Sequence, residues 1–322
     1  MMTPIPDGIV IASRGSKLAL KQTEILSGLL RAVEPALRIE VLTVSTRGDD
    51  DKDRSFADIG GKGIFTSEVE REVLAGNADV ALHSAKDLTA ELAPECALIC
   101  TPERADVRDV IVGGEGVSGE ERLGSLPPGA RVGTSSIRRR VLLTELRPDL
   151  EVVEFRGNLD TRLRKLADDE VDAAILAAAG IERLGGVDAA MFSPLDPLRW
   201  VSAPAQGALA VEARAERDDL IALFMRIGDG AAAAEVACER AFSRRLEGGC
   251  TVPLGCHARA SDGGLVVTGL LGSPHTDEVL RDRISGPASG AEGLGTELAE
   301  AILAAGGDDI LEDLKTDAIE QA

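Results

Sequence analysis

The sequence predicts an α/β protein made of two similar doubly wound units that face a cleft, followed by a small C-terminal α+β domain. Three observations carry this. Short apolar runs of strand length alternate with longer stretches of 3.6-residue periodicity, the pattern of βαβ units. The plan of the N-terminal stretch recurs after a Gly/Glu/Ser/Pro-rich segment at residues 113–129. Gly228-Asp229-Gly230 then reads as a linker, beyond which a helix, a strand and a terminal helix follow. The expected boundaries are residues 1–105 with 203–227 for the first unit, 106–202 for the second and 228–322 for the third.

Composition narrows the function classes. A chain of 322 residues exceeds the usual size of a single core. With aromatics at 2%, one Trp and no Tyr, the cores must be built from Ala, Val, Leu and Ile, and little is left for base-stacking platforms. A net charge of -20 argues against a nucleic-acid or anionic-membrane partner. The first residues show neither the basic region nor the apolar stretch of a signal peptide, and no segment approaches the roughly 20 apolar residues of a membrane span; a cytoplasmic protein is expected. Five irregularly spaced cysteines suit reduced thiols, and with three histidines no metal site is expected.

The first unit opens with the apolar run Ile9-Val10-Ile11-Ala12, the polar turn Ser13-Arg14-Gly15-Ser16 and a helix with Leu18, Ile25, Leu29 and Val33 on its periodic positions. A strand at 39–44 leads through Thr46-Arg47-Gly48-Asp49 into a charged segment ending in Gly60-Gly61-Lys62-Gly63. That segment is read as a possible lid, with Lys62 and Phe65 as its candidate contacts. Ser67-x-x-Glu70 has the spacing of a capping box, and Gly76 closes the helix that follows. The strand Asp79-Val80-Ala81-Leu82 then empties into His83-Ser84-Ala85-Lys86-Asp87, where the carboxyl end of an α/β strand places a ligand site. His83 is read as structural.

The second unit repeats this plan. Arg131-Val132-Gly133 leads into Thr134-Ser135-Ser136 and a helix. The strand at 151–155 ends in Arg156-Gly157-Asn158, echoing Arg47-Gly48-Asp49, and the strand at 171–176, with Asp172, echoes the one with Asp79. Between Arg131 and Lys165, nine basic residues stand against five acidic ones, a reversal within an acidic chain. Arg138 and Arg139 just inside a helix start oppose the helix dipole. An anionic ligand bound by their planar forks would offset that cost. Ser202-Ala203-Pro204-Ala205-Gln206-Gly207 leads a strand at 208–211, read as crossing back to the first unit. After the linker, a helix at 231–246 ends in Glu247-Gly248-Gly249-Cys250, where the glycines let the thiol project from a tight turn.

These motifs, in this order, resemble the hydroxymethylbilane synthase (porphobilinogen deaminase) family over nearly the whole chain. The resemblance implies a monomeric cytoplasmic transferase of tetrapyrrole biosynthesis that condenses porphobilinogens head to tail and releases ammonia. It implies a dipyrromethane cofactor bound through a thioether at Cys250, and a catalytic carboxylate at Asp87. Cofactor contacts would come from Lys86, Ser84, Ser135, Ser136, Arg138 and Arg139. Substrate contacts would come from Arg14, Ser16, Arg156, Arg162, Arg183 and Gln206. It implies a fold of the periplasmic-binding-protein type for the first two domains. The chain departs from the family at Ala85, at Leu88-Thr89, and at Ala205, where members often carry Pro-Gly-Gln-Gly. An alternative is a non-catalytic anion-binding module of the same architecture, which would need neither Cys250 nor a third domain.

Overall fold

The structure is a computed structural model and describes residues 5–46, 66–248, 251–276 and 278–320. The chain runs β1 (Gly8–Arg14), α1 (Lys17–Val33), β2 (Arg38–Val44), α2 (Ser67–Leu74), β3 (Val80–Ser84), a 3-10 turn (Ala85–Asp87) and β4 (Cys96–Cys100). It continues with β5 (Asp109–Gly113), α3 (Gly119–Ser125), β6 (Arg131–Gly133), α4 (Ile137–Leu146), β7 (Glu151–Val153), α5 (Leu159–Ala167), β8 (Ala173–Ala177), α6 (Ala178–Leu184) and β9 (Phe192–Pro194). Then come β10 (Leu209–Arg214), α7 (Asp218–Phe224), α8 (Gly230–Arg245), β11 (Leu254–Ser261), β12 (Gly264–Gly272), β13 (Val279–Pro287), α9 (Ala291–Ile302) and α10 (Asp308–Glu320). Contacts divide it into two compact units, residues 1–105 with 207–233 and residues 106–206 with 234–322. No helix among the described residues is long and apolar enough to cross a membrane.

Unit 1 is organised on a sheet of order β2-β1-β3-β10-β4. β1 pairs in parallel with β2 and β3, whereas β10 runs antiparallel between β3 and β4. Because the side-chain period is two, β1 sends Ile9 and Ile11 into the core against α1, with Leu26 and Leu30, and Val10 and Ala12 into the core against α2, with Val69 and Val73. Burial on both faces is why these strands read as unbroken apolar runs. The capping box expected at Ser67 does not form: Ser67 is already helical, and Thr66 stands at the N-cap without a side-chain bond.

The first sheet of unit 2 has the order β7-β6-β8-β5-β9, the same plan with an antiparallel strand inserted at the same place. The echo between Asp79 and Asp172 is structural. The Asp79 carboxylate accepts from Val10 N at 2.8 Å and that of Asp172 from Arg131 N at 2.6 Å, each holding the start of a central strand to its parallel neighbour. Ile111, Val132 and Ile175 pack on one face with Leu142, Leu143 and Trp200; Val110, Val112 and Leu176 pack on the other with Phe155 and Ile181. Gly133 is needed here, since a Cβ would lie 2.6 Å from the Phe155 ring. The supposed punctuation at 113–129 holds a helix, α3, with a complete Ser118/Glu121 capping box.

The C-terminal part of unit 2 is an antiparallel sheet β11-β12-β13 covered by α8, α9 and α10. Of its strands only the central one is legible in the sequence; β13 is largely exposed and carries no apolar run. Gly295 lets α9 approach α8 closely: a Cβ would fall 2.0 Å from the Cys238 carbonyl oxygen. Leu270 of β12 enters the core beneath α4, and Arg281 of β13 clasps Glu145 of α4 at 2.7 Å, so this small sheet is keyed to the helix that starts at Ser136.

Candidate functional site

In unit 1 the polar residues gather where β1 and β3 end. Ser84 closes β3 and its hydroxyl accepts from Gln22 Nε2 of α1 at 2.9 Å. Ala85 is buried and its N–H donates to the Ala208 carbonyl at 3.0 Å, which hangs the following turn on β10. That turn leaves Lys86 exposed and Asp87 half-buried. The small side chain of Ala85 therefore fills the interior side of the turn rather than its polar side. Arg14 ends β1 half-buried, and Ser16 caps α1, its hydroxyl accepting from Ala19 N at 3.2 Å.

In unit 2 the corresponding edge lies at the N-terminus of α4. Ser136 is its N-cap, accepting from Arg139 N at 3.4 Å. The Ser135 hydroxyl is buried and has no hydrogen-bond partner among the described residues. Arg156 follows β7, half-buried, and donates to Glu154 Oε1 at 2.7 Å. Arg162 on α5 is half-buried, and Arg183 lies in the last turn of α6, where burial lowers its pKa and Glu182 opposes that.

Arg138 and Arg139 are placed deeper than their sequence context suggests. Both are buried against Asp109, at 2.8 and 2.7 Å, and each also donates to a main-chain carbonyl, Val201 O at 2.7 Å and Ile175 O at 2.8 Å. Gln206 Nε2 donates to Asp109 Oδ1 at 2.8 Å and to Val107 O, and the Trp200 indole donates to Asp109 Oδ2 at 2.7 Å. Burial alone would raise the Asp109 carboxyl, but the two guanidiniums and Gln206 outweigh it and hold its pKa far below the usual carboxylate range. The anion that offsets two cations at the start of α4 is thus in part internal. Sequence reasoning missed it because Asp109 stands at the head of an apolar strand and looks like its cap. Glu212, an acid within β10, was also missed, because its partner His83 stands on a strand far away in the sequence.

Gly249 and Cys250 of the Gly-Gly-Cys turn, the Arg47-Gly48-Asp49 motif and the proposed lid contacts Lys62 and Phe65 lie outside the described residues. The four described cysteines, Cys96, Cys100, Cys238 and Cys256, are buried thiols outside any disulfide. Burial foremost pushes the first three up to about 12, which leaves them inert. A dipyrromethane bears acetate and propionate carboxylates. An unpartnered Ser135 hydroxyl beside a helix N-terminus, with half-buried cations at Arg156 and Arg162, is a donor set that fits such a group.

Comparison with known proteins agrees with this chemistry. The profile described as "Porphobilinogen deaminase, dipyromethane cofactor binding domain" matches residues 9–222, and "Porphobilinogen deaminase, C-terminal domain" matches residues 233–304. The chain is similar to the porphobilinogen deaminase of Roseiflexus castenholzii, 44% identical over 305 residues that cover 95% of this chain and 99% of that one. It is also similar to that of Stenotrophomonas maltophilia strain K279a, 45% identical over 94% of this chain and 98% of that one. Among solved structures, the methionine-binding protein MetQ aligns with 72% of this chain and 95% of its own length, at 11% identity and a TM-score of 0.43. With both of its profiles matched in order and its relatives aligned end to end, the chain belongs to the porphobilinogen deaminase family.

Proposed function

We propose that the chain condenses four porphobilinogens head to tail into hydroxymethylbilane, with release of four ammonia molecules, as a cytoplasmic monomer of tetrapyrrole biosynthesis acting on neither nucleic acid nor membrane. The observation that carries this is the match of residues 9–222 to the cofactor-binding domain of the family. The dipyrromethane, when bound, supplies the free pyrrole α-carbon on which the product grows. We assign its attachment to the Cys250 thiol, in the module formed by residues 228–322.

Asp87 is the residue to which we assign catalysis. Loss of ammonia from the substrate's aminomethyl group leaves positive charge on the pyrrole nitrogen. Charge of the same sign develops again when the new carbon–carbon bond forms. A carboxylate within reach of the pyrrole N–H groups stabilises both states, and it can take the proton released from the α-carbon. Its placement on a short turn anchored at Ala85 supports this role, since the backbone, not a flexible loop, sets its position. Lys86, Ser84, Ser135, Ser136, Arg138 and Arg139 are assigned to the cofactor's carboxylates. Arg14, Ser16, Arg156, Arg162, Arg183 and Gln206 are assigned to the substrate's. For Arg138, Arg139 and Gln206 the contacts with Asp109 favour an indirect part, in which they hold the start of α4 and its serines in place.

Intact-mass measurement tests the reading. Protein from a haem-competent host is expected to carry a covalent excess equal to two porphobilinogen-derived pyrroles, and Cys250→Ser to lack it. A bare wild-type polypeptide would overturn the assignment.

A further inference from the structure

The segment that follows Trp200 in unit 2 holds a backbone conformation that its own residues disfavour. Gln206 N donates to the Ala203 carbonyl at 3.0 Å, closing a turn with Pro204 and Ala205 at its centre. Ala205 adopts φ 60. A proline followed by a residue of positive φ is the pattern of a type II turn, whose second central position ordinarily takes Gly because a Cβ is disfavoured there. Ala205 is 1% exposed, so the group that steadies the turn has to come from the protein.

That group is Glu239 of α8. Its side chain is buried and receives Ala205 N on Oε2 at 2.5 Å and Ala258 N of β11 on Oε1 at 2.7 Å. One carboxylate thus joins the turn to the C-terminal sheet. The joint is close along its length: Cys256 N donates to the Ser202 carbonyl at 2.9 Å, and a Cβ on Gly255 would fall 2.9 Å from the Val201 carbonyl oxygen. The same segment serves the Asp109 cluster, since Val201 O receives Arg138 and Gln206 Nε2 donates to Asp109 Oδ1 at 2.8 Å. Residues 201–206 are therefore held by α8 and β11, and they hold the charge cluster at the start of α4.

The side-chain type at 239 matters. A carboxylate offers an oxygen to each of two buried N–H groups, whereas an apolar side chain of the same length would leave both without an acceptor.

We propose that Glu239 is a positioning residue for the reaction: it keeps the turn at 203–206 in a conformation that Ala205 resists, and so delivers the Gln206 amide to Asp109 and, through Arg138 and Arg139, keeps Ser135 and Ser136 in place. The inference rests on the assignment of those serines to the cofactor's carboxylates. A displaced cofactor presents its reacting carbon poorly, so the effect falls on kcat. KM depends on arginines of other elements, Arg156 and Arg162, and is spared.

Amide hydrogen exchange at residues 205 and 206, together with kinetics counted per cofactor-bearing molecule by intact mass, tests this in wild type, Glu239→Met, Ala205→Gly and the double variant. In Glu239→Met, protection of the turn and kcat are each expected to fall about tenfold, the worth of one hydrogen bond to a charged acceptor, with KM within about twofold of wild type. Ala205→Gly alone is expected to leave kcat and KM nearly unchanged. In the double variant Gly lets the turn stand without its clamp, so protection and kcat are expected to return to within about threefold of wild type. If Glu239→Met does not fold by itself, the double variant is expected to fold, and failure of both would overturn the proposal. So would equal protection in wild type and Glu239→Met, or equal losses with Ala and with Gly at 205. Lost protection with unchanged kcat would overturn the positioning role and leave Glu239 a structural residue. A wild type without turnover would overturn the functional reading instead, and exchange alone would then decide whether Glu239 holds the turn.

Discussion

Replacing Asp109 by Asn tests whether unit 2 is organised around a buried charge. Asp109 is fully buried and receives Arg138, Arg139, Gln206 and the Trp200 indole, all at 2.7–2.8 Å. Asn keeps the shape but removes the charge, retains a single acceptor oxygen and turns an N–H₂ toward a guanidinium, which can only donate. Two guanidiniums, 4% and 6% exposed, are then left without their anion. Breaking a buried pair in this way costs about 3–5 kcal/mol.

Urea unfolding followed by fluorescence is the assay, because Trp200 is the only tryptophan and lies in the affected cluster. The acid dependence carries a second signature. Asp109 is ionised in the folded chain far below its usual pKa, so its contribution is complete above about 3.9 and is lost only as the pH falls toward the folded value. The gap between wild type and variant is thus expected to stay constant from about pH 8 to about pH 4. A loss below about 1 kcal/mol, the worth of an exposed pair, would refute the account of the cluster.

Asp87→Asn is expected to keep the native circular dichroism and thermal midpoint while losing nearly all consumption of porphobilinogen; turnover near that of wild type would remove Asp87 from the mechanism. Ala205 adopts φ 60, a conformation that costs a residue with a Cβ about 1–2 kcal/mol. Ala205→Gly, which restores the family's usual residue, is expected to raise the melting temperature by about 2 °C once the added freedom of the unfolded chain is subtracted. A lower melting temperature would show that the Ala205 methyl contributes more to packing than its backbone costs.

The sequence was legible where burial on two faces leaves a continuous apolar signature. The runs at Ile9–Ala12, Val80–Leu82 and Val110–Val112 became strands of the two sheets, and the paired plan, including the Asp79 and Asp172 echo, followed from their spacing. Edge and exposed elements were not legible. β13 and the short β9 carry no run to read, and the glycines of 113–129 masked α3 because its cap at Ser118 depends on a three-residue offset rather than on hydrophobicity. At Ser67 the same offset misled, since the helix begins one residue too early for that serine to cap it.

What the residues determined alone is the chemical inventory: an acid after a strand, serines at helix starts, an excess of arginines and a Gly-Gly-Cys turn, in an order shared with one enzyme family. What the tertiary structure decided is which of those groups face one another. Arg138 and Arg139 of a helix meet Asp109 of a strand, and His83 meets Glu212 from a strand far along the chain. A pattern in one dimension cannot report such meetings, because a buried charge is paid for by a partner that only folding brings within 3 Å or so.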